Sequence, residues 1–119
     1  MRTILIVEDS NSMRGLMEMA LTSRDYQVIS MSSAEAVIDS LDEISFDIAI
    51  IDIHLGKLNG IELAKAIRAH KKHPGVVLIA VTTEGNDSMK EEGRKAGLNE
   101  WVQKPIRPDK FISTIEKYI

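Results

Sequence analysis

The sequence contains no cysteine, which excludes disulfides, thiolate metal sites and cysteine nucleophiles together and fits a reducing compartment. It has no excess of positive charge: 15 Lys and Arg against 18 Asp and Glu leave a net charge of −3. No basic stripe invites nucleic acid, and no cationic surface invites a membrane. No apolar run approaches the roughly 20 residues of a membrane span, and Met1 leads almost directly into a strand-like run. Signal peptide and transmembrane helix are therefore absent from the reading, and a cytoplasmic protein without membrane insertion is expected. Repeats, low-complexity stretches and Pro/Gly-rich linkers are also missing, so residues 1–119 are read as one domain. No Gly-rich nucleotide loop and no zinc-ligand cluster can be found.

What is present is a rhythm of short apolar run, polar turn and helical period. Ile4-Leu5-Ile6-Val7 is a β-branched run too short for a helix, and it ends in Glu8-Asp9-Ser10. Met13, Leu16, Met17, Ala20 and Leu21 then share one helical face. Val28-Ile29 marks a second strand. Ser32 and Glu35 have the spacing of a capping box, for a helix that buries Ala34, Val37, Ile38 and Leu41. Ile48-Ala49-Ile50-Ile51 ends at Asp52, and Asn59 is placed to cap a helix with Leu63, Ala66 and Ile67 inward. The fourth strand, Val76 to Val81, ends in Thr82-Thr83. Asp87 and Ser88 supply cap signals for a helix with a thin apolar stripe of Met89 and Ala96. A last strand through Trp101-Val102 reaches Lys104-Pro105, and Pro108 can start a helix that buries Phe111, Ile112, Ile115 and Ile119.

Near-continuous apolar strands alternating with amphipathic helices require a parallel sheet covered on both faces. Right-handed crossovers leave few arrangements of the five strand–helix pairs. Among these the flavodoxin-like (βα)5 order 2-1-3-4-5 is chosen by analogy with known doubly wound sheets, because the residues alone leave the order open. Such sheets bind ligands beyond the carboxyl ends of their strands, at the switch point between strands 1 and 3. The sequence puts Glu8 and Asp9 at one of those ends and Asp52 at the other. Carboxylates about 5 Å apart repel by roughly 3 kcal/mol per pair at an effective dielectric near 20, so the acids must take up protons or share a cation. Lys104 supplies one positive charge. Oxygen-only ligands open to water suit Mg²⁺, with Mn²⁺ as a substitute. Thr82 and Lys104, closing strands 4 and 5, are natural partners for phosphoryl oxygens.

These residues resemble the response-regulator receiver family over essentially the whole chain. The resemblance rests on Glu8-Asp9, Asp52, Thr82 and Lys104-Pro105 at successive strand ends. Val7-Glu8-Asp9-Ser10 with Met13-Arg14 and Leu16, and Gly60 eight residues after Asp52, add to it. It implies that Asp52 is the phosphoacceptor for a sensor histidine kinase or phosphotransfer protein. Asp9, Asp52 and the His54 carbonyl would hold Mg²⁺, with Glu8 acting through a water. Thr82 and Lys104 would contact the phosphoryl group, and Trp101 would be the switch aromatic that moves with Thr82 and reshapes the face of helix 4, strand 5 and helix 5. The Lys104–Pro105 bond matches a position that is commonly cis in that family, and Pro is the residue that makes cis accessible.

Several positions depart from the family pattern. Leu55-Gly56 replaces the frequent Met-Pro, which predicts a more flexible loop. Thr83 stands where a smaller residue is usual, and His54 and Glu84 occupy the positions that tune dephosphorylation in related domains. An Asp-dependent phosphatase of the haloacid-dehalogenase type would carry a second acid two residues after the nucleophile, where this chain has His54. A flavin binder would need a better phosphate loop than Ser10-Asn11-Ser12 and aromatics by strand 3. A non-phosphorylated scaffold receiver would not need the complete acceptor set. With no output region after Ile119, the expected means of signalling is docking to a downstream protein. The domain is thus read as a phosphoacceptor that can label itself from small donors and slowly dephosphorylates itself, not as a classical enzyme.

Overall fold

The computed structural model describes residues 2–56 and 58–119. The elements follow the predicted alternation: β1 (Thr3–Val7), α1 (Asn11–Thr22), β2 (Gln27–Met31), α2 (Ala34–Ser40), β3 (Ile48–Asp52), α3 (Gly60–Ala69), β4 (Val77–Thr82), α4 (Asp87–Ala96), β5 (Glu100–Gln103) and α5 (Pro108–Glu116). The strands form one parallel sheet of order β2-β1-β3-β4-β5. The register pairs Ile4 with Ile48 and Val7 with Ile51, so β1 and β3 end side by side.

The two-residue period of the strands splits the core into two layers. Ile4, Ile6, Ile48, Ile50, Ile79 and Val81 face α1 and α5, where Met17, Leu21, Phe111, Ile112 and Ile115 cover them. Leu5, Val7, Ala49, Ile51, Leu78 and Ala80 face the other side, packed by Val37 of α2, Leu63 and Ile67 of α3, and Ala96 of α4. The central strands are apolar throughout because both of their faces are covered.

Helix starts are set by side-chain caps. Asn59 and Glu62 form a reciprocal capping box on α3, and Pro108 opens α5 as predicted. Four expectations need correction. The α2 cap is Ser33, whose side chain accepts from the Ala36 amide. One residue of shift leaves Glu35 outside the reciprocal position, so Ser32 makes no capping box. Leu16 and Ile38 are exposed at 41% and 37%, because the apolar arcs of α1 and α2 are wider than the strip that the sheet covers. Ile119 is exposed because α5 ends at Glu116 and the following turn buries part of Tyr118 instead. The α4 cap is Asn86, one residue before the expected Asp87 and Ser88. Among the described residues no helix is long and apolar enough to cross a membrane.

Candidate functional site

Two strand ends create the site. Glu8 and Asp9 follow β1, Asp52 closes β3, and carboxylate oxygens from all three lie within 4.8 Å of one another. Glu8 and Asp52 are buried, whereas Asp9 is exposed. The first turn of α1 holds Glu8 in place: Ser10 donates its amide to Glu8 Oε2 at 3.1 Å, and Arg14 Nη1 donates to the Glu8 carbonyl at 2.8 Å. The sequence had offered Arg14 only as part of a family motif, and its contact with a backbone carbonyl left no pattern to read. Asp52 accepts the His54 amide on Oδ1 at 3.1 Å and Lys104 Nζ on Oδ2 at 3.3 Å.

Lys104 reaches this cluster from the end of β5, anchored by its own amide to the Thr82 carbonyl at 2.7 Å. Its Nζ lies 3.1 Å from Glu8 Oε1. That contact is an ion pair without hydrogen-bond geometry, and Glu8 Oε1 is a buried side-chain atom with no hydrogen-bond partner. Burial pushes the Lys104 ammonium down, but Glu8 and Asp52 outweigh it and hold its pKa above the usual 10.5. The stabilisation from this pairing is therefore complete below pH 10.5 and is lost as pH rises through the raised value. Among the described residues Lys104 pairs with two of these three carboxylates, Glu8 and Asp52, and Asp9 is left to solvent or a cation.

The backbone around Asp52 leaves no room for a side chain at Gly60. A Cβ there would sit 2.5 Å from the Asp52 carbonyl oxygen, so glycine lets α3 start directly against the strand end. The Lys104–Pro105 peptide is cis. Leu55 is buried, while Gly56 is exposed and has φ +87°.

Thr82 is fully buried, and its Oγ1 accepts the Glu84 amide at 3.2 Å. A hydroxyl used in this way still carries one proton to donate. Thr83 is exposed, and its carbonyl accepts Gln103 Nε2 at 3.3 Å. The imidazole of His54 is not a solitary loop group: Nε2 lies 3.0 Å from Glu84 Oε1. Trp101 is half-buried, and its Nε1–H donates to the Glu84 carbonyl at 3.0 Å. Its ring edge lies against Gly93 of α4, where a Cβ would come within 2.9 Å of it. Sequence reasoning missed Gly93, whose signal was a glycine in mid-helix. Glu8, Asp9, Asp52 and Lys104 are thus brought together, while His54, Glu84 and Trp101 form a connected group beside them.

Known proteins share this design. The family model for the response regulator receiver domain matches residues 4–116. A chemotaxis protein CheY homolog of Campylobacter jejuni is 31% identical over 117 residues, covering 95% of this chain and 88% of that protein. The structure of Vibrio cholerae chemotaxis protein CheY4 superimposes with a TM-score of 0.95 at 26% identity, over 100% of this chain and 99% of the other. The receiver domain of sensor histidine kinase PA1611 from Pseudomonas aeruginosa has a TM-score of 0.89 at 25% identity, over 98% and 96% of the two chains; it holds a magnesium ion in its active-site cleft. With its strand order, its acidic strand ends and this likeness along nearly all its length, the chain belongs to the response regulator receiver domain family, whose members signal and are not classical enzymes.

Proposed function

We propose that this chain accepts a phosphoryl group on Asp52 from the phosphohistidine of a sensor kinase or phosphotransfer protein, with Mg²⁺ bound, and then switches its α4–β5–α5 face to control a partner. The observation that carries this reading is the charge at the rim: among the described residues three carboxylates lie within 4.8 Å, one ammonium pairs with two of them, and a buried Glu8 oxygen has that ion pair but no hydrogen bond. A hard divalent cation fits that donor set, which consists only of oxygens. Asp9, Asp52 and the His54 carbonyl would hold it directly and Glu8 through a water. Bound there, the ion would neutralise charge on the incoming phosphoryl oxygens.

The protein's own groups do the rest. Asp52 attacks phosphorus with one carboxylate oxygen, and the bond from phosphorus to the donor's nitrogen breaks. The Asp52 Oδ1 contact with the His54 amide fixes the carboxylate plane, leaving the Lys104 side to receive negative charge. Lys104 pairs with the phosphoryl group, and Thr82 donates its free hydroxyl proton to it. His54, Thr83 and Glu84 line the approach and set the lifetime of the aspartyl phosphate, which water ends. The setting proposed is the cytoplasm, with signalling through protein docking and without direct contact to nucleic acid.

Acetyl phosphate with Mg²⁺ tests the assignment by intact mass. Wild type should gain one phosphoryl group and Asp52→Asn none. Labelling of the Asn variant, or an inert wild type in saturating Mg²⁺, would falsify it. Lys104→Ala should still show a Mg²⁺-dependent change in the fluorescence of Trp101, the only tryptophan, yet lose the further change on phosphorylation. Intact switching in that variant removes the lysine from the mechanism.

A further inference from the structure

Glu84 touches three neighbours with three different groups. Its amide donates to Thr82 Oγ1 at 3.2 Å, its carboxylate meets His54 Nε2 at 3.0 Å, and its carbonyl accepts the Trp101 indole N–H at 3.0 Å. His54 in turn donates its own amide to Asp52 Oδ1. An unbroken line of polar contacts therefore runs from Asp52 through His54 and Glu84 to the indole. It crosses from the β3–α3 loop to the β4–α4 loop through the side chains of His54 and Glu84.

We propose that Glu84 is a positioning residue: its bond to His54 is a latch that holds the β4–α4 loop, and through the loop carbonyl the indole of Trp101, in the position found beside an unmodified Asp52. The regulatory meaning of the latch rests on the acceptor reading given above; the mechanical link does not.

Three features of the geometry favour a latch over an incidental surface pair. The pair is half exposed, with side-chain exposures of 54% and 49%, so it can open without unfolding anything, as exposed ion pairs do. Its two ends sit on loops next to Asp52 and Thr82, where a phosphoryl group and the metal shell would arrive. The far end is a fixed seat, because Gly93 leaves the Trp101 ring just enough space under α4. If Thr82 rotates about its Cα–Cβ bond, its Oγ1 leaves the Glu84 amide. The His54 contact is then the remaining polar tie from the acceptor side that holds Glu84.

The chain has a single tryptophan, so its indole N–H is one resolved signal in a proton–nitrogen NMR spectrum. In EDTA and without a phosphoryl donor, His54→Ala and Glu84→Ala should move that signal upfield and speed its exchange with solvent about threefold, within the range an exposed pair can supply. Neither substitution removes the carbonyl that holds the indole, so the effect has to travel through the loop. Glu84→Gln, whose amide oxygen still accepts from His54, should restore most of the wild-type signal. The double alanine variant should add nothing beyond the larger single effect. An unchanged indole in both alanine variants with native melting curves overturns the proposal, and so do effects that sum. Mass labelling with acetyl phosphate is run in parallel. A responsive indole without labelling defeats only the acceptor reading, and labelling with a silent indole defeats only the latch.

Discussion

At the carboxyl rim of the sheet a buried Glu8 oxygen lacks a hydrogen bond, and two of the three clustered acids share Lys104. At the opposite rim a partly buried charge is fully answered. There the Arg68 guanidinium donates to the carbonyls of Gly97, Pro74 and Val76 and to Asn99 Oδ1, at 2.5 to 3.2 Å. Burial alone pulls the Arg68 pKa down, yet the neutral oxygens around it use the whole planar fork. His73, also buried, places Nε2 against the Leu41 carbonyl at 2.7 Å and stacks on Phe46 at 4.7 Å. Both rims bury polar groups, but among the described residues only the acidic one leaves a side-chain atom held by an ion pair without a hydrogen bond. A satisfied polar cluster joins loops together, whereas an unsatisfied one is poised for a ligand.

The largest expected effect breaks the satisfied rim. Arg68→Ala takes the donor from four acceptors on the segments leading into β4 and β5. Among the described residues only Asn99 Oδ1 of these keeps another partner, the Leu78 amide. The substitution should cost about 3 kcal/mol in urea unfolding. A loss below about 1 kcal/mol would mean that water replaces the guanidinium freely. Asp52→Asn, at the other rim, removes a charge from a crowd that repels itself. Without metal it should change stability by no more than about 1 kcal/mol, with the sign neutral to favourable.

Mg²⁺ sharpens the same contrast at a smaller scale. At ten times its dissociation constant it should stabilise wild type by about 1.4 kcal/mol, since a ligand of the native state alone adds RT ln(1 + [L]/Kd). Arg68→Ala should keep that whole increment, and Asp52→Asn should lose most of it. Equal Mg²⁺ stabilisation of wild type and Asp52→Asn would move the cation away from the acids that close β1 and β3.

These two rims were not equally legible in the sequence. The acidic rim could be read because parallel topology gathers strand ends. Glu8-Asp9, Asp52 and Thr82 each follow a short β-branched run and Lys104 follows Trp101-Val102, so their convergence needed only the strand order. The Arg68 clamp has no such signature: apart from Asn99 Oδ1 its acceptors are backbone carbonyls on two loops, and any residue supplies a carbonyl. The His54–Glu84 pair was half legible. Both residues were marked for their positions, but nothing in the spacing said that their side chains meet. Helix faces erred where an apolar arc outran its cover, at Leu16, Ile38 and Ile119. Ser32 failed as a cap because adjacent serines offer the same chemistry one residue apart, and the strand before them sets which one is used.

The smallest expected effect tests a third cluster, at the amino end of β5, where a satisfied contact is only partly buried. Tyr118 donates its hydroxyl to Glu100 Oε2 at 2.5 Å, and Lys117 Nζ donates to Oε1 at 3.2 Å. The Tyr118 bond is the main reason that the Glu100 carboxyl sits below its usual 4.5, with burial opposing and Lys117 assisting. The same bond is the main reason that the Tyr118 phenol sits above its usual 10.0. Glu100's contribution is therefore complete above pH 4.5 and lost as pH falls through its lowered value. Tyr118's is complete below pH 10.0 and lost as pH rises through its raised value. Wild type should exceed Tyr118→Phe by at most about 1 kcal/mol near neutrality, since both groups are only partly buried. The gap should close toward either extreme of pH, and the Lys104 titration cancels because both proteins share it. A difference that stays constant across that range would show that the phenol contributes through packing, and that the hydrogen bond to Glu100 adds nothing to the fold.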